Sequence, residues 1–247
     1  MPGYSALPLV YDEWQSSFGK DYSSLIFPRV IATLRRYRVS PGLLIDLGCG
    51  TGTLALLFER KGWDVTGVDA SDGMIEKAKE KKSNGRARFI CQDMRSFDVP
   101  ARATVVTSMF DTINHLLTTG DLAKTFRRVY RHLVPGGYFV FDVNNVRCFA
   151  LLWDGPVVQS GDSYSLILES SFNLARRSAY SDVTLFVRDG EGFQRHRETV
   201  RERLFTNREL ETALRRAGFL VCEAVDFNFT ARRDVGKIKT WWVARKP

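Results

Sequence analysis

Residues 41–71 read PGLLIDLGCGTGTLALLFERKGWDVTGVDAS, and this stretch decides the fold. It opens with an apolar run over residues 43–47, which is typical of a strand buried on both faces of a parallel sheet. A helix is predicted over residues 54–61, and a second strand over residues 63–68. The stretch therefore predicts a strand, a loop, a helix and a second parallel strand.

The loop between the first strand and the helix has the features of a ligand-binding turn. Gly48, Gly50 and Gly52 alternate there, and glycine allows a positive φ and a close approach of a ligand to the backbone. Asp46 ends the first strand and Asp69 ends the second, about twenty residues after the glycines, as recognition of a nucleoside ribose requires. A tight glycine turn without a ligand would leave these two acids unexplained.

The glycine spacing separates two classes of nucleoside ligand. A dinucleotide fingerprint needs GxGxxG, in which the third glycine packs the helix on the strand beneath a pyrophosphate. Here the spacing is GxGxG, and Asp46 at the mouth of the loop would repel a diphosphate. An acid in that place suits a ligand that carries an ammonium and a sulfonium.

Residues 45–52, IDLGCGTG, resemble the first motif of the class I S-adenosylmethionine (SAM) methyltransferases. The resemblance implies SAM as the cofactor and a Rossmann-like fold. It also implies that Asp69 binds the ribose hydroxyls, that Asp93 takes the adenine amino group and that Met94 packs on the ring. The cofactor-binding residues expected on this basis are Tyr11, Asp46, Gly48, Cys49, Gly50, Asp69, Ala70, Met74, Asp93, Met94, Met109 and Phe110.

The whole chain is then expected to form an α/β fold with a doubly wound, seven-stranded, mostly parallel sheet and a small antiparallel β insert after the fifth strand. The predicted units are an N-terminal arm and helix (1–40), a SAM-binding core (41–150), an insert that roofs the acceptor site (151–205) and a segment that completes the core (206–247). The arm is rich in aromatic residues, and it either folds over the cofactor as a lid or packs on the core.

Alternation of period two over residues 160–204 predicts the insert. In its last strand the residues on one face are Arg195, Arg197, Thr199, Arg201 and Arg203, and those on the other are His196, Glu198, Val200, Glu202 and Leu204. Neither face is apolar enough for a deep core. We therefore expect one face to meet solvent and the other a polar cavity or a partner.

Composition limits the classes of function. The 247 residues include 36 Lys and Arg and 28 Asp and Glu, and the resulting charge of +8 favours anionic partners. Nucleic acid is not expected, because no basic block alternates with exposed aromatics. The four cysteines have no metal or redox spacing, so we expect reduced thiols, no metal site and a cytoplasmic protein. No apolar stretch is long enough to cross a bilayer, so no membrane partner is expected.

The loop after the predicted fourth strand, residues 108–116, carries the candidate catalytic residue. Open α/β sheets bind ligands at the carboxyl ends of their strands, where this loop lies. His115 has an ordinary pKa that suits general-base work near neutrality. Alternatively, His115 caps the next helix or packs beneath the loop. His196 is expected to be solvated, and His132 to interact with a helix C-terminus.

A narrower resemblance covers nearly the whole chain in layout. Residues 11–12 and 19–22, the loop, the insert and residues 204–206 are similar to the N,N-dimethyltransferases of nucleotide-linked deoxyaminosugars. That family places a histidine and an N-terminal tyrosine beside the reacting amine, and the matching residues here are His115 and Tyr4. Residues 142–145, DVNN, depart from those enzymes and are similar to broader small-molecule methyltransferases, which leaves the acceptor open.

The sequence therefore predicts a SAM-dependent methyltransferase of a small molecule, with an amine nitrogen as the expected acceptor. Three alternatives remain open: a small-molecule O-methyltransferase, an RNA or protein methyltransferase favoured by the basic charge, and a methyltransferase-like binding module. A homodimer is compatible with the sequence but is not specified by it.

Overall fold

A computed structural model describes residues 6–16, 21–82, 85–228 and 236–247. The helices are α1 (Tyr11–Ser16), α2 (Tyr22–Arg36), α3 (Thr53–Glu59), α4 (Asp72–Lys81), α5 (Thr119–His132), α6 (Val146–Leu152) and α7 (Asn207–Ala217), with 3₁₀ helices at Leu7–Leu9 and Thr112–His115. The strands are β1 (Leu43–Leu47), β2 (Asp64–Asp69), β3 (Arg88–Cys91), β4 (Ala103–Ser108), β5 (Leu133–Asn144), β6 (Gly155–Ser160), β7 (Tyr164–Asn173), β8 (Ser178–Asp189), β9 (Gly192–Arg203), β10 (Leu220–Phe227) and β11 (Lys239–Arg245).

The main sheet has seven strands in the order β10-β11-β5-β4-β1-β2-β3. Neighbouring strands from β5 to β3 are parallel, and β11 runs antiparallel to both β5 and β10. The predicted doubly wound, mostly parallel α/β fold is confirmed. Because β4, β1 and β2 are adjacent, the loops at their carboxyl ends meet at one edge of the sheet.

Successive residues of the central strands face different helix layers, which explains their continuous apolar sequence. Leu44 packs in the layer that contains α2 and α3, whereas Ile45 packs in the layer that contains α5 and α7. Trp241 and Trp242 divide in the same way, and both are buried. Burial on two faces is what makes the strand-end acids unusual, since an acid in such a strand must find a polar partner.

Element boundaries follow the sequence with local differences. Thr206 and Glu209 form a capping box at the start of α7, and the pattern of these two residues is visible in the sequence. Pro28 lies inside α2, and Asp21 is the N-cap of that helix. Strand β5 begins at Leu133, and its register with β4 shifts where the Pro-Gly-Gly segment bulges out.

The insert forms a separate antiparallel sheet in the order β6-β7-β8-β9. It starts earlier than the period-two pattern, since β6 begins at Gly155 and follows α6, which the pattern did not predict. The expectation that neither face meets a deep core is wrong for the inner face. Val200 of β9 joins apolar side chains of β7 and β8 and of the N-terminal arm, which we define as residues 6–16: Ala6, Leu7, Val10, Tyr164, Leu166, Val183 and Leu185. The neighbouring strands supply the apolar surface that β9 lacks.

Candidate active site

A cavity of about 500 Å³ opens at the carboxyl ends of β1, β2 and β4. That volume is in the range of small-molecule sites. Most of the predicted site residues line it: Tyr11, Asp46, Gly48, Cys49, Gly50, Asp69, Ala70, Met74, Met94, Met109, Phe110 and His115. Asp93 does not, and Tyr4 lies outside the described residues.

The glycine loop needs glycine for reasons of both conformation and space. Gly48 and Gly52 have φ values of 74° and 77°, in the left-handed region that favours glycine. A Cβ on Gly48 would collide with the side chain of Thr112, and one on Gly52 would lie 2.9 Å from the Cβ of Ala78. At Gly50 a Cβ would meet only Tyr11, at 3.9 Å, so the backbone there faces open cavity space.

Asp69 holds the loop and also faces the cavity. Its Oδ2 accepts from the backbone N–H of Gly50 at 2.9 Å, and its Oδ1 accepts from that of Ser71 at 2.9 Å. Burial raises the pKa of Asp69, against the effect of these backbone donors. Each carboxylate oxygen keeps a second lone pair, which suits the two hydroxyls of a ribose.

Asp46 is the second acid of the cavity wall and is only 2% exposed. Its Oδ1 accepts from the hydroxyl of Thr107 at 2.7 Å. Burial raises the pKa of Asp46 to about 7, and the Thr107 hydrogen bond opposes this while the Asp69 carboxylate adds to it. A cationic ligand group beside Asp46 would favour its ionised form.

Asp93 has a different environment from the one expected. Arg95 binds it through Nε at 2.9 and 3.0 Å and through Nη2 at 2.5 Å. The hydrogen bonds from Arg95 lower the pKa of Asp93. Its neighbours Gln92 and Met94 line the cavity instead, so an adenine contact from Asp93 remains a prediction.

The N-terminal arm closes one side of the cavity. Tyr11 lines it, and Asp12 accepts from the hydroxyl of Thr51 in the glycine loop at 2.6 Å. Asp12 also pairs with Lys81 of α4 at 2.6 Å. The arm thus contacts the core at the glycine loop.

The same arm is joined to the insert. Trp14 Nε1 donates to Gln159 at 2.7 Å, and the carboxylate of Glu13 accepts from the hydroxyl and the backbone N–H of Ser163. Glu198 of β9 accepts from the backbone N–H groups of Ala6 and Leu7 at 3.3 and 3.4 Å. The arm therefore packs on the insert and also lines the cavity, and its role as a lid over the cofactor stays a prediction.

The loop after β4 holds a strained conformation. Phe110 and Asp111 have φ values of 57° and 54°, which are costly for residues other than glycine. Asp142 at the end of β5 accepts from both backbone N–H groups, at 3.2 and 2.9 Å. The 3₁₀ helix Thr112–His115 follows and brings His115 to the cavity wall.

His115 is held by the insert. Its Nδ1 lies 3.3 Å from the backbone carbonyl of Arg201, and its Nε2 lies 3.9 Å from Glu202 Oε1. A carbonyl only accepts, so the neutral ring carries its proton on Nδ1 and a lone pair on Nε2. Burial lowers the pKa of His115, although the carboxylate of Asp111 opposes it. At neutral pH the imidazole is therefore uncharged.

The other two histidines lie away from the cavity. His132 is near the C-terminus of α5, as expected, and its ring nitrogens bind the Arg128 carbonyl and Asp98 at 2.9 Å each. His196 is half-buried on the inner face of β9 instead of solvated as expected. Neither residue lines the cavity.

Sequence reasoning missed several buried residues around His115. Asp142 could have been found, since it is an acid near the end of a buried strand, as Asp46 and Asp69 are. Glu202 was placed on the inner face of β9, but its contact with His115 depends on docking of the insert. Lys239 is 1% exposed, and no sequence pattern marks it as a site residue beyond its place at the start of an apolar strand.

Residues 44–137 match a family model described as a methyltransferase domain. A putative methyltransferase of Bacillus subtilis, YqeM, is 34% identical over 183 residues, which are 72% of this chain and 73% of that protein. The chain belongs to the SAM-dependent methyltransferases. The predicted family and cofactor are thereby confirmed, and the glycine loop and the two acids of the cavity fit a cationic nucleoside of this kind.

Two further similarities concern this methyltransferase as a whole. A dTDP-3-amino-3,4,6-trideoxy-alpha-D-glucopyranose N,N-dimethyltransferase of Streptomyces venezuelae is 29% identical over 215 residues, or 86% of this chain and 89% of that protein. The crystal structure of Streptomyces venezuelae DesVI is similar with a TM-score of 0.79, at 26% identity and over 96% and 97% of the two chains. Among the residues that the structure describes, no helix is long and apolar enough to span a membrane.

Proposed function

We propose that this methyltransferase transfers a methyl group from SAM to an amine nitrogen of a small molecule, with His115 beside the acceptor. The observation that carries the proposal is the position of His115, which lines the same cavity as Asp46, Asp69 and the glycine loop. Names of relatives that act on amino sugars support nitrogen as the acceptor.

Methyl transfer requires mainly alignment of the acceptor nitrogen with the methyl group and removal of a proton from that nitrogen. Bound SAM supplies an electrophilic methyl group on a sulfonium. An in-line displacement is accelerated mainly by holding the nucleophile in position. A protonated amine has no lone pair for attack, so His115 contributes by accepting a proton from it or by favouring its neutral form. The pKa of His115, lowered by burial, keeps the ring neutral and ready at pH 7.

The proposed cofactor contacts follow from the cavity walls. Asp69 would accept from the ribose hydroxyls, and Asp46 would face the cationic part of the ligand. Met94 is 5% exposed and would contribute apolar surface to the adenine side. Tyr11 of the arm would cover the ligand from the side opposite the sheet.

A groove beside the cavity favours one acceptor class, an amine that also carries a phosphate. The groove has a volume of about 480 Å³ and shares Leu117, Thr199 and Arg201 with the cavity wall. It is lined by Arg176, Arg177, Arg201 and Arg203. Nucleotide-linked amino sugars have this chemistry, and relatives named for them cover most of the chain. The sequence expectation of a cytoplasmic protein agrees with such metabolites.

The test measures formation of S-adenosylhomocysteine from SAM with a panel of amines and matched alcohols, each with and without a phosphate group. We expect turnover with an amine. His115→Ala should lower kcat by about 100-fold to 10,000-fold, the usual contribution of a general base, while SAM affinity stays unchanged. His115→Asn keeps a hydrogen-bonding group but cannot take a proton in this range.

The variants separate proton transfer from orientation. If Asn restores most of the activity, His115 only orients the acceptor. His196→Asn is the matched control, because it removes a histidine of β9 that does not line the cavity. Full activity of both His115 variants, or turnover of alcohols alone, would contradict the proposal.

A further inference from the structure

Buried charged side chains from four parts of the chain meet behind His115. They are Asp111 of the strained loop, Asp142 of β5, Glu202 of β9 and Lys239 of β11. Asp142, Glu202 and Lys239 are 0%, 2% and 1% exposed. Burying this many ionisable groups is costly.

Lys239 balances only part of the negative charge. Its ammonium lies 3.0 Å from Asp142 Oδ1 and 3.1 Å from Asp111 Oδ1. Burial would lower the pKa of Lys239, but the carboxylates of Asp111 and Asp142 outweigh it and raise that pKa. Two carboxylates and one ammonium leave a single net negative charge, provided that Glu202 is neutral.

The carboxyl groups of Glu202 and Asp111 lie close together. The two carboxyl groups hydrogen-bond to each other, and Asn144 Nδ2 lies 3.0 Å from an oxygen of each. Two carboxyl groups this close do not both ionise readily. Burial and the nearby Asp111 carboxylate raise the pKa of Glu202. Burial opposes ionisation of Asp111 too, but the ammonium of Lys239 outweighs it and keeps the pKa of Asp111 low. The resting proton is on Glu202.

We propose that Glu202 is a positioning residue for methyl transfer that acts through His115. When His115 Nε2 takes a proton from the acceptor, the proton shared by Glu202 and Asp111 moves to Asp111, and the Glu202 carboxylate then faces the imidazolium 3.9 Å away. The inference rests on the proposed function for its role in catalysis, but the coupling of Glu202 to His115 is a property of the free protein.

Protons and charge balance in this step. The acceptor nitrogen loses one proton, His115 gains it, and the Glu202 proton is transferred to Asp111. The buried cluster carries one net negative charge before the step. When the imidazolium forms, its positive charge balances that negative charge, and the net charge of the cluster and His115 together is zero. After the product leaves, His115 returns its proton to water in the cavity and the Asp111 proton returns to Glu202.

The carboxylates of Asp111 and Asp69 also favour protonation of His115. The other titratable and charged groups near it are Tyr11 of α1, Tyr22 and Arg29 of α2, Asp69 of β2 and Cys148 of α6. Burial raises the pKa values of Tyr22 and Cys148, which therefore stay neutral near pH 7. Asp69 already accepts two backbone hydrogen bonds. Glu202 is the carboxyl group placed next to Nε2.

The test is a nuclear magnetic resonance titration of His115 in the full chain, which contains three histidines and so gives resolvable ring signals. In Glu202→Gln the amide cannot become negative, so the proton affinity of His115 should fall about tenfold or more, a pKa decrease of about one unit. Glu198→Gln is the matched control. It makes the same change on the same face of β9, four residues away, and should leave the titration of His115 nearly unchanged.

An infrared measurement on the parent protein keeps the test valid if Glu202→Gln does not fold. At about pH 8 Asp46 is mostly ionised, so a carbonyl band from a protonated carboxylic acid should come from the Glu202–Asp111 pair. A missing band, or an His115 titration that Glu202→Gln moves no further than Glu198→Gln does, would overturn the inference. Calorimetry with SAM gives a separate readout, because failure to bind SAM contradicts the proposed function and leaves the coupling of Glu202 to His115 untouched.

Discussion

Two acids at strand ends, Asp46 and Asp69, face the cavity from adjacent strands. Their tasks differ because their partners differ. Asp69 accepts two backbone hydrogen bonds and so fixes the glycine loop, whereas Asp46 has one hydroxyl donor and a raised pKa. One acid shapes the site, and the other responds to the charge of what binds.

Asp69→Ala tests the first role. The change removes an acceptor for the ribose hydroxyls and also frees the N–H of Gly50, so SAM affinity should fall by roughly 2 to 4 kcal/mol. Calorimetric titration with SAM measures the loss. Asp64→Ala is the control, since Asp64 begins the same strand and is exposed. Equal SAM affinity in folded Asp69→Ala and parent would refute the assignment.

Asp46 gives a pH prediction. Because the pKa of Asp46 is near 7, this carboxyl group is largely protonated in the free protein below pH 7. A cationic ligand binds best to the ionised carboxylate. SAM affinity should therefore rise roughly eightfold from about pH 6 to about pH 7.5, with release of a proton. Calorimetry in buffers of different ionisation enthalpy counts that proton. Proton release that persists undiminished in Asp46→Asn would show that another group is responsible.

At the scale of elements, the N-terminal arm joins the core to the insert. Strand β9 of the insert contacts the arm through Glu198. Ala6 and Leu7 depend on that carboxylate as an acceptor for their backbone N–H groups. The strand also holds His115 through the carbonyl of Arg201. The inserted sheet therefore orders two walls of the cavity, one formed by the N-terminal arm and the other by His115.

Glu198→Ala should speed amide exchange at Ala6 and Leu7 by about tenfold, because partly buried hydrogen bonds to a carboxylate are lost. Hydrogen exchange measured by nuclear magnetic resonance reports both amides. Asp182→Ala, on the opposite face of the same sheet, should leave them unchanged. If exchange at these amides were the same in all three proteins, the arm would be held by its apolar contacts alone.

For the whole molecule, ligand binding should increase the free energy of unfolding. SAM at about 100 times its dissociation constant should add about 2.7 kcal/mol to the free energy of unfolding. For a chain of this size that raises Tm by about 5 to 11 °C, as measured by calorimetric scanning. ATP should raise it far less, because Asp46 and Asp69 disfavour phosphates. Equal stabilisation by ATP would contradict the inference that the glycine loop and its two acids select a cationic nucleoside over a phosphate ligand.

The sequence alone determined the family, the cofactor and the main sheet. These depend on local patterns: apolar strands that end in acids, glycines with a fixed spacing, and the capping box of α7. Each pattern is read from neighbouring residues, whose backbone requirements hold in any surroundings. Asp93 shows the limit of such reading, since its position in the motif did not reveal that Arg95 occupies it.

Only the tertiary structure decided what surrounds His115. Lys239 lies 128 residues from Asp111 along the chain, and Glu202 lies 87 residues from His115, so no local pattern joins them. Their contact depends on the antiparallel return of β11 beside β5 and on docking of β9 against the 3₁₀ helix. Burial then changes the proton affinities that the sequence would assign, because a carboxyl group next to another carboxyl group in a dry interior keeps its proton.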